Sequence, residues 1–432
     1  MKSLFLPLFV CCSLGILAPT HAAEKLELRD GDRVVLVGST LIEREQRYGY
    51  WEAALTRRYP DKSITFRNLG WSGDTVFGDA RAGFGSQVDG LRHLKEHVLA
   101  LKPTVIIIGY GTNESFEGPK GLPRFVKGLE TLLDAFAPMK ARIVLLSPLK
   151  QENLGPPLPD PAENNKNLRM YADAIGDVAK KHGHVFVDFY ELLGTDAEKG
   201  HPLTDNGIHM TPWGYWRSAF VLERALGLPN AFWALQVKSD GEIVARGARV
   251  EKEKGAKLHL RVTGFMLPPP PVPYEGLPDH FEKVERHTTP FMKVEGLAQG
   301  SYTLSTDGKT DFDYLREQTL RESGVDILKE NKRENYSTPA KYWISGMNIL
   351  CWPEWYQAEK LRQAIIAKNR LYFYRWRPEN ETYLFGFRKH EQGKNAREIP
   401  QFDPLIAAKE KEIAKLRVPV AHTYELKVDK KK

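Results

Sequence analysis

Val34-Val35-Leu36-Val37-Gly38-Ser39-Thr40 is an unbroken aliphatic run that stops at a glycine and two hydroxyl residues. A short apolar run with no polar alternation fits a strand buried on both faces, as in a parallel sheet. Outward from it, β-rich runs at Ile64 to Arg67, Val105 to Ile108, Ile143 to Leu146 and Val185 to Val187 alternate with helix-like stretches. These stretches are Tyr50 to Arg58, Gln87 to Leu101, Phe125 to Phe136 and Asn165 to Lys181. The alternation predicts a parallel sheet with helices on both faces. Ligands of such sheets gather beyond the carboxyl ends of the strands. Gly38, Gly70, Gly109 and Ser147 each lie shortly after a predicted strand, so their loops should meet on one rim. Turn chemistry explains each of these residues singly but not their clustering.

Three further blocks follow in order: Asn68-Leu69-Gly70-Trp71-Ser72-Gly73-Asp74, Gly111-Thr112-Asn113-Glu114 and Asp205-Asn206-Gly207-Ile208-His209. With the first run they resemble the SGNH (GDSL-type) hydrolases over roughly residues 30 to 230. The resemblance implies a three-layer, flavodoxin-like α/β fold and ester hydrolysis. It also implies a serine nucleophile in a Gly-Asp-Ser run, an oxyanion hole that uses a glycine and an asparagine, and an Asp-x-x-His run that supplies the base.

This chain departs from that pattern twice. Aligning Gly38 with the family glycine puts Ser39 at the usual aspartate and Thr40 at the usual serine. A threonine hydroxyl can attack a carbonyl, but its β-methyl crowds the approach and stiffens χ1. Ser39 would serve only if the turn shifted by one residue, and both hydroxyls could instead merely satisfy turn amides. His209 is the expected general base, and such a base needs a partner that fixes its tautomer. The residue three before it is Asn206, while Asp205 lies four before and would be the partner if the loop differs from the family's. The oxyanion hole is expected to use the amide of residue 39 or 40, the Gly73 amide and the Asn113 side chain, with Gly70 competing for the glycine role.

Lys2, the apolar run Leu4 to Leu17 and the small residues around Thr20-His21-Ala22 read as a secretory leader over 1–22. The run is short for a membrane span. The mature chain is therefore expected to be secreted or periplasmic, with no membrane span after leader removal. Cys11 and Cys12 leave with the leader, so Cys351 remains alone, expected as a small buried hydrophobe rather than a reactive thiol. The formal charge is +7. No nucleic-acid motif accompanies it, so nucleic acid is not an expected partner. The histidines lack ligand spacing, and neither a metal nor a cofactor is expected.

The hydrolase-like domain is expected over 24–229, closing with a helix to about Leu226, followed by a small β-rich region over 230–310 and a helical, aromatic-rich extension over 311–432. Strands are expected at Phe232 to Val237, Glu242 to Ala245, Lys257 to Val262 and Ser301 to Ser305, and helices at Asp311 to Lys332 and Glu354 to Lys368. The tetraproline Pro268 to Pro271 reads as a stiff extended surface loop or a lid. Leu371 to Arg377 and Tyr383 to Arg388 are rich in aromatics and arginines, which fits core strands packed on the hydrolase domain or sugar-stacking faces. Leu405 to Leu416 reads as a charged, exposed helix. Two functions follow: an exported hydrolase of small-molecule or polysaccharide esters, such as acetyl groups, or an inactive descendant that keeps the cleft to bind carbohydrate.

Overall fold

The computed structural model describes residues 26–197, 202–228, 233–252, 258–271, 291–294, 302–310, 343–344, 353–378, 381–384, 386–391 and 395–428. The leader, Cys351 and the expected helix at 311–332 lie outside these residues.

Five strands form the central sheet: β1 (Arg33–Gly38), β2 (Thr65–Asn68), β3 (Val105–Gly109), β4 (Arg142–Leu146) and β5 (Val185–Val187). They run in the order β2-β1-β3-β4-β5, and every pairing is parallel. The chain doubles back between β1 and β3, which creates the crevice where open α/β sheets bind ligands. The apolar runs follow from burial on both faces, since successive side chains of a strand point to opposite sides. Val34, Leu36, Ile107 and Val144 face one core, packed on α2 (Tyr50–Thr56), α6 (Phe189–Ala197) and α7 (Pro212–Ala225). Val35, Val37, Ile106 and Leu145 face the other, against α3 (Gln87–Ala100), α4 (Gly118–Phe136) and α5 (Ala162–His182). Truncating one such residue, Ile107→Ala for example, would cost about 2–5 kcal/mol.

Helix α1 (Thr40–Tyr48) is not foreshadowed by the sequence pattern. Its only aliphatic residues are Leu41 and Ile42, and two of its acids, Glu43 and Glu45, are buried. Hydrophobic periodicity does not register a helix that buries carboxylates. Gly49, in the left-handed conformation at φ 65°, ends α1 and turns the chain into α2.

Beyond α7, one sheet runs β13 (Trp343–Ile344), β10 (Phe291–Val294), β6 (Ala234–Val237), β7 (Ile243–Arg246). Another runs β12 (Lys309–Thr310), β11 (Tyr302–Thr306), β14 (His422–Val428), β9 (Leu258–Gly264), β8 (Ala248–Lys252). The last strand therefore returns to pair with β9 and β11, antiparallel to both. Between these strands, the long helix Pro353–Trp376 packs on α1, α2 and β2.

Two expectations for this half need correction. The run Leu371 to Trp376 continues the long helix rather than forming strands. Leu361, Ile365, Lys368 and Tyr372 recur at helical spacing and are buried, so packing overrides the β-propensity of the aromatics. The tetraproline is neither a surface loop nor a lid, because Pro268 to Pro270 are buried. Buried carbonyls there still need donors. Arg57 Nη1 supplies Leu267 O at 3.0 Å and Trp216 Nε1 supplies Pro270 O at 3.0 Å. The C-terminal helix Phe402–Leu416 packs along the long helix with Ile406 and Ile413 buried. Buried polar groups join the extension to the hydrolase-like domain: Lys368 Nζ lies 2.5 Å from Glu52 Oε1, and Asn369 Nδ2 lies 3.1 Å from Glu52 Oε2. Burial and the Glu52 charge raise Glu45 to about 7, opposed by amide donation from Trp51 and Glu52.

Candidate active site

The loops after β1, β2 and β3 and the segment 203–211 meet at the β1/β3 crevice. Ser39, Thr40, Asn113 and His209 line one cleft there, with Phe116 and Gln151 on its walls. The close approach of strand and helix begins at Gly38, where a Cβ would clash with Gly109 O and stand 2.6 Å from Ile42 Cγ1. Ser39 then caps α1 from an extended backbone conformation, and Thr40 opens the helix. Ser39 is only 3% exposed. Its amide is committed to Gly109 O at 3.1 Å, which leaves the Thr40 amide as the donor at this turn.

Gly70 and Gly73 differ in their surroundings. Gly70 N–H donates to Asn68 Oδ1 at 2.8 Å, and a Cβ at Gly70 would clash with Glu43 N. Gly70 is thus a close-packing residue whose amide is occupied. At Gly73, with φ 76°, an added Cβ would meet nothing within 4 Å, and the N–H donates to Thr40 Oγ1 at 3.2 Å. Asn113 Nδ2 donates one hydrogen to Asp74 O at 2.7 Å. A primary amide carries a second hydrogen, and the cleft is the open side of Asn113.

Two buried carboxylates fix these donors, and sequence reasoning assigns neither a role. Asp74 is fully buried and accepts from Arg81 Nε at 2.6 Å, Tyr110 hydroxyl at 2.9 Å and Ala80 N at 3.2 Å. Glu114 accepts from Val76 N at 2.8 Å and Gly111 N at 2.9 Å. Burial pushes the Glu114 carboxyl up to about 7, against the pull of those amides. The β2 and β3 loops are therefore cross-linked. The signal available in the sequence is an acid at the end of each glycine-bearing block.

The base side is built differently. Asn206 Oδ1 accepts the His209 N–H at 2.9 Å and the Ile208 N–H at 3.2 Å. These two donors fix the side-chain amide, so its NH2 group faces His209 Nδ1 at 2.9 Å. A neutral imidazole opposite an NH2 group must present Nδ1 as the acceptor, which places its proton on Nε2. Burial and the Arg44 charge lower the His209 pKa, opposed by Asp205, so the neutral ring is favoured. Asp205 is itself bound to Arg44 Nη2 at 2.7 Å and is half-exposed. The structure thus brings Asn206 rather than Asp205 against the imidazole.

Among the described residues no cluster of three metal-ligating side chains occurs, and no helix is long and apolar enough to cross a membrane. Residues 34–217 match the sequence model of the GDSL-like Lipase/Acylhydrolase family. No curated protein matches the chain. Among solved structures, a gut microbial diltiazem-metabolizing enzyme is similar over 94% of this chain and 100% of its own, with a TM-score of 0.68 and 14% identity. That shared fold takes in the C-terminal extension. A catalytic mutant of Axe2, an acetylxylan esterase from Geobacillus stearothermophilus, is 18% identical over 47% of this chain and 98% of its own, with a TM-score of 0.39. LAE5, an alpha/beta hydrolase enzyme from the metagenome of Lake Arreo, Spain, is 22% identical over 46% and 97%, with a TM-score of 0.37. Residues 34–217 thus carry the GDSL-like lipase/acylhydrolase match on a five-stranded parallel sheet of flavodoxin-like order.

Proposed function

We propose that the protein is an exported ester hydrolase that removes a small acyl group, with acetyl esters of polysaccharides as the substrate class. One observation carries this reading: Thr40 Oγ1 sits on the Gly73 amide in the cleft that Asn113 and His209 also line. The Thr40 hydroxyl attacks the ester carbonyl. The Gly73 and Thr40 amides and the Asn113 side chain are donors for the oxygen that becomes negative. His209 takes the hydroxyl proton and returns it to the leaving alcohol, and water then cleaves the Thr40 acyl ester to release the acid and restore the hydroxyl. Phe116, 61% exposed on the cleft wall, offers a flat face against a sugar ring.

The Asn206 contact favours a second reading. With the proton on Nε2, His209 is a hydrogen-bond donor and cannot accept a proton there until the ring changes tautomer. In serine proteases, an amide in place of the carboxylate that orients the histidine costs about 10⁴ in kcat. Turnover is therefore slow on the first reading. On the second, the donors only bind an ester or carbohydrate oxygen. The test is acetate release from acetylated polysaccharides and aryl acetates by the mature chain, beside Thr40→Ala, Ser39→Ala and His209→Ala. Slow release that disappears with Thr40 and His209 supports the hydrolase. Saturable binding of the same polysaccharides without release above the His209→Ala background supports the binding protein.

A further inference from the structure

The long helix Pro353–Trp376 lies outside the matched hydrolase segment, yet its end reaches the loop that carries Gly73. Arg377, the next residue, is tied to the last helical turn by its N–H to Phe373 O at 2.9 Å. Its guanidinium lies 3.6 Å from the centroid of the Trp71 ring. Its Nη1 donates to Glu43 Oε2 at 3.0 Å. The same Glu43 oxygen accepts the Ser72 N–H, and Ser72 immediately precedes Gly73. Trp376 adds an edge-on contact to Trp71 at 5.8 Å.

We propose that Arg377 is a positioning residue, through which the C-terminal extension sets the oxyanion loop Trp71–Asp74. Glu43 is 8% exposed and Arg377 is its cationic partner, so the charge that holds the Ser72 amide depends on a residue supplied from more than 300 positions away. A buried carboxylate stripped of its counter-ion either takes a proton or draws in water. Both weaken its hold on Ser72. The guanidinium on Trp71 fixes the preceding residue by cation–π attraction and by area. On the inner side the loop is already anchored, by Trp71 N to Gly38 O at 3.0 Å and by Asp74 to Arg81. Loss of Arg377 therefore frees the Ser72–Gly73 peptide without unfolding the loop's base. The catalytic consequence rests on the hydrolase reading, whereas the structural one does not.

Hydrogen exchange of the full mature chain, resolved to the Trp71–Asp74 amides, tests this beside Arg377→Gln, Arg377→Lys and Arg375→Gln. Arg375 is the control, since it leaves the same helix end but pairs with Asp403 at 2.9 Å. Exchange at Ser72 and Gly73 should rise about tenfold or more in Arg377→Gln, as expected when a local opening replaces a fixed amide. It should rise less in Arg377→Lys, which keeps the charge but not the stacked fork, and stay unchanged in Arg375→Gln. Amides of β1 and β3 should not change in any variant. Unchanged exchange at 72–73 in Arg377→Gln, or an equal rise in Arg375→Gln or across β1 and β3, overturns the proposal. In parallel, kcat should fall about tenfold with KM little changed, a fraction of the 10²–10³ that one oxyanion donor is worth. A rise in exchange with unaltered kcat overturns the catalytic part. Absence of any acetate release by the unsubstituted protein overturns the hydrolase reading alone, and the exchange result still decides the proposal.

Discussion

The loops that carry Gly73 and Asn113 are cross-braced by the buried carboxylates of Asp74 and Glu114, whereas His209 rests on a neutral amide and a half-exposed ion pair at Asp205. The Gly73 and Asn113 side presents N–H donors on loops held in place by those buried carboxylates. The His209 side sets the Asn206 NH2 group, a donor, opposite Nδ1, where a general base needs an acceptor. The two capacities are separable because they depend on different atoms. Oxyanion binding needs only fixed N–H groups, while general-base catalysis needs one particular tautomer.

The sharpest way to break this contrast is to restore the acceptor. Asn206→Asp keeps the oxygen that binds the Ile208 and His209 amides and replaces the NH2 group by an acceptor for Nδ1–H. Acetate release should rise by about 10³–10⁴ in kcat, the converse of the loss that an amide causes in serine proteases. An unchanged rate would place the block at Thr40 instead.

Next come the braces. Asp74→Ala leaves Arg81, itself 3% exposed, without its counter-ion and should lower stability in urea melts by about 3–5 kcal/mol. Asp205→Ala, which opens a half-exposed pair, should cost no more than about 1 kcal/mol. Similar losses would show that the two sides are equally rigid.

Glu114 gives the contrast a pH signature. Its folded value of about 7 lies above the 4.5 of the free side chain, so the folded state holds the extra proton between them. Relative stability is then full below about pH 4.5 and is lost as the pH rises to about 7, by on the order of 1–3 kcal/mol. Glu114→Gln should flatten that fall in urea melts across the same range.

A smaller effect is expected from Arg44→Ala. His209 acts only when neutral, and its lowered pKa puts the acid limb of kcat/KM below the ordinary histidine range. Removing the Arg44 charge and freeing Asp205 both stabilise the imidazolium, so the limb should move to higher pH. An unmoved limb would mean that the Arg44 charge does not act on the ring.

The sheet is legible in the sequence because β1, β3 and β4 are buried on both faces, which leaves aliphatic runs that have no other common reading. Helix α1 is not, because it buries Glu43 and Glu45 against partners outside the helix, Arg377 on Glu43 and the Trp51 and Glu52 amides on Glu45. The aromatic run at Leu371 misleads because Leu371, Tyr372 and Trp376 continue the long helix and pack into the core shared with Leu69, Leu94 and Ile406. Within the site, the exchange of aspartate for Asn206 is visible in the sequence. Which end of its amide faces the ring is not, since that depends on two backbone donors at 208 and 209. Gly70 and Gly73 are equivalent on paper, and what separates them is three-dimensional: the Asn68 contact and the crowding at Glu43 for Gly70, the Thr40 contact for Gly73.

The tautomer of His209 is the most direct thing to measure. Long-range proton–nitrogen correlation spectra of the ¹⁵N-histidine-labelled chain, at a pH where the ring is neutral, report which nitrogen carries the proton. An unprotonated Nδ1 with the proton on Nε2, reversed in Asn206→Asp, is the expected result. A proton on Nδ1 in the unsubstituted protein would contradict it, and would mean that His209 already stands ready to act as a base.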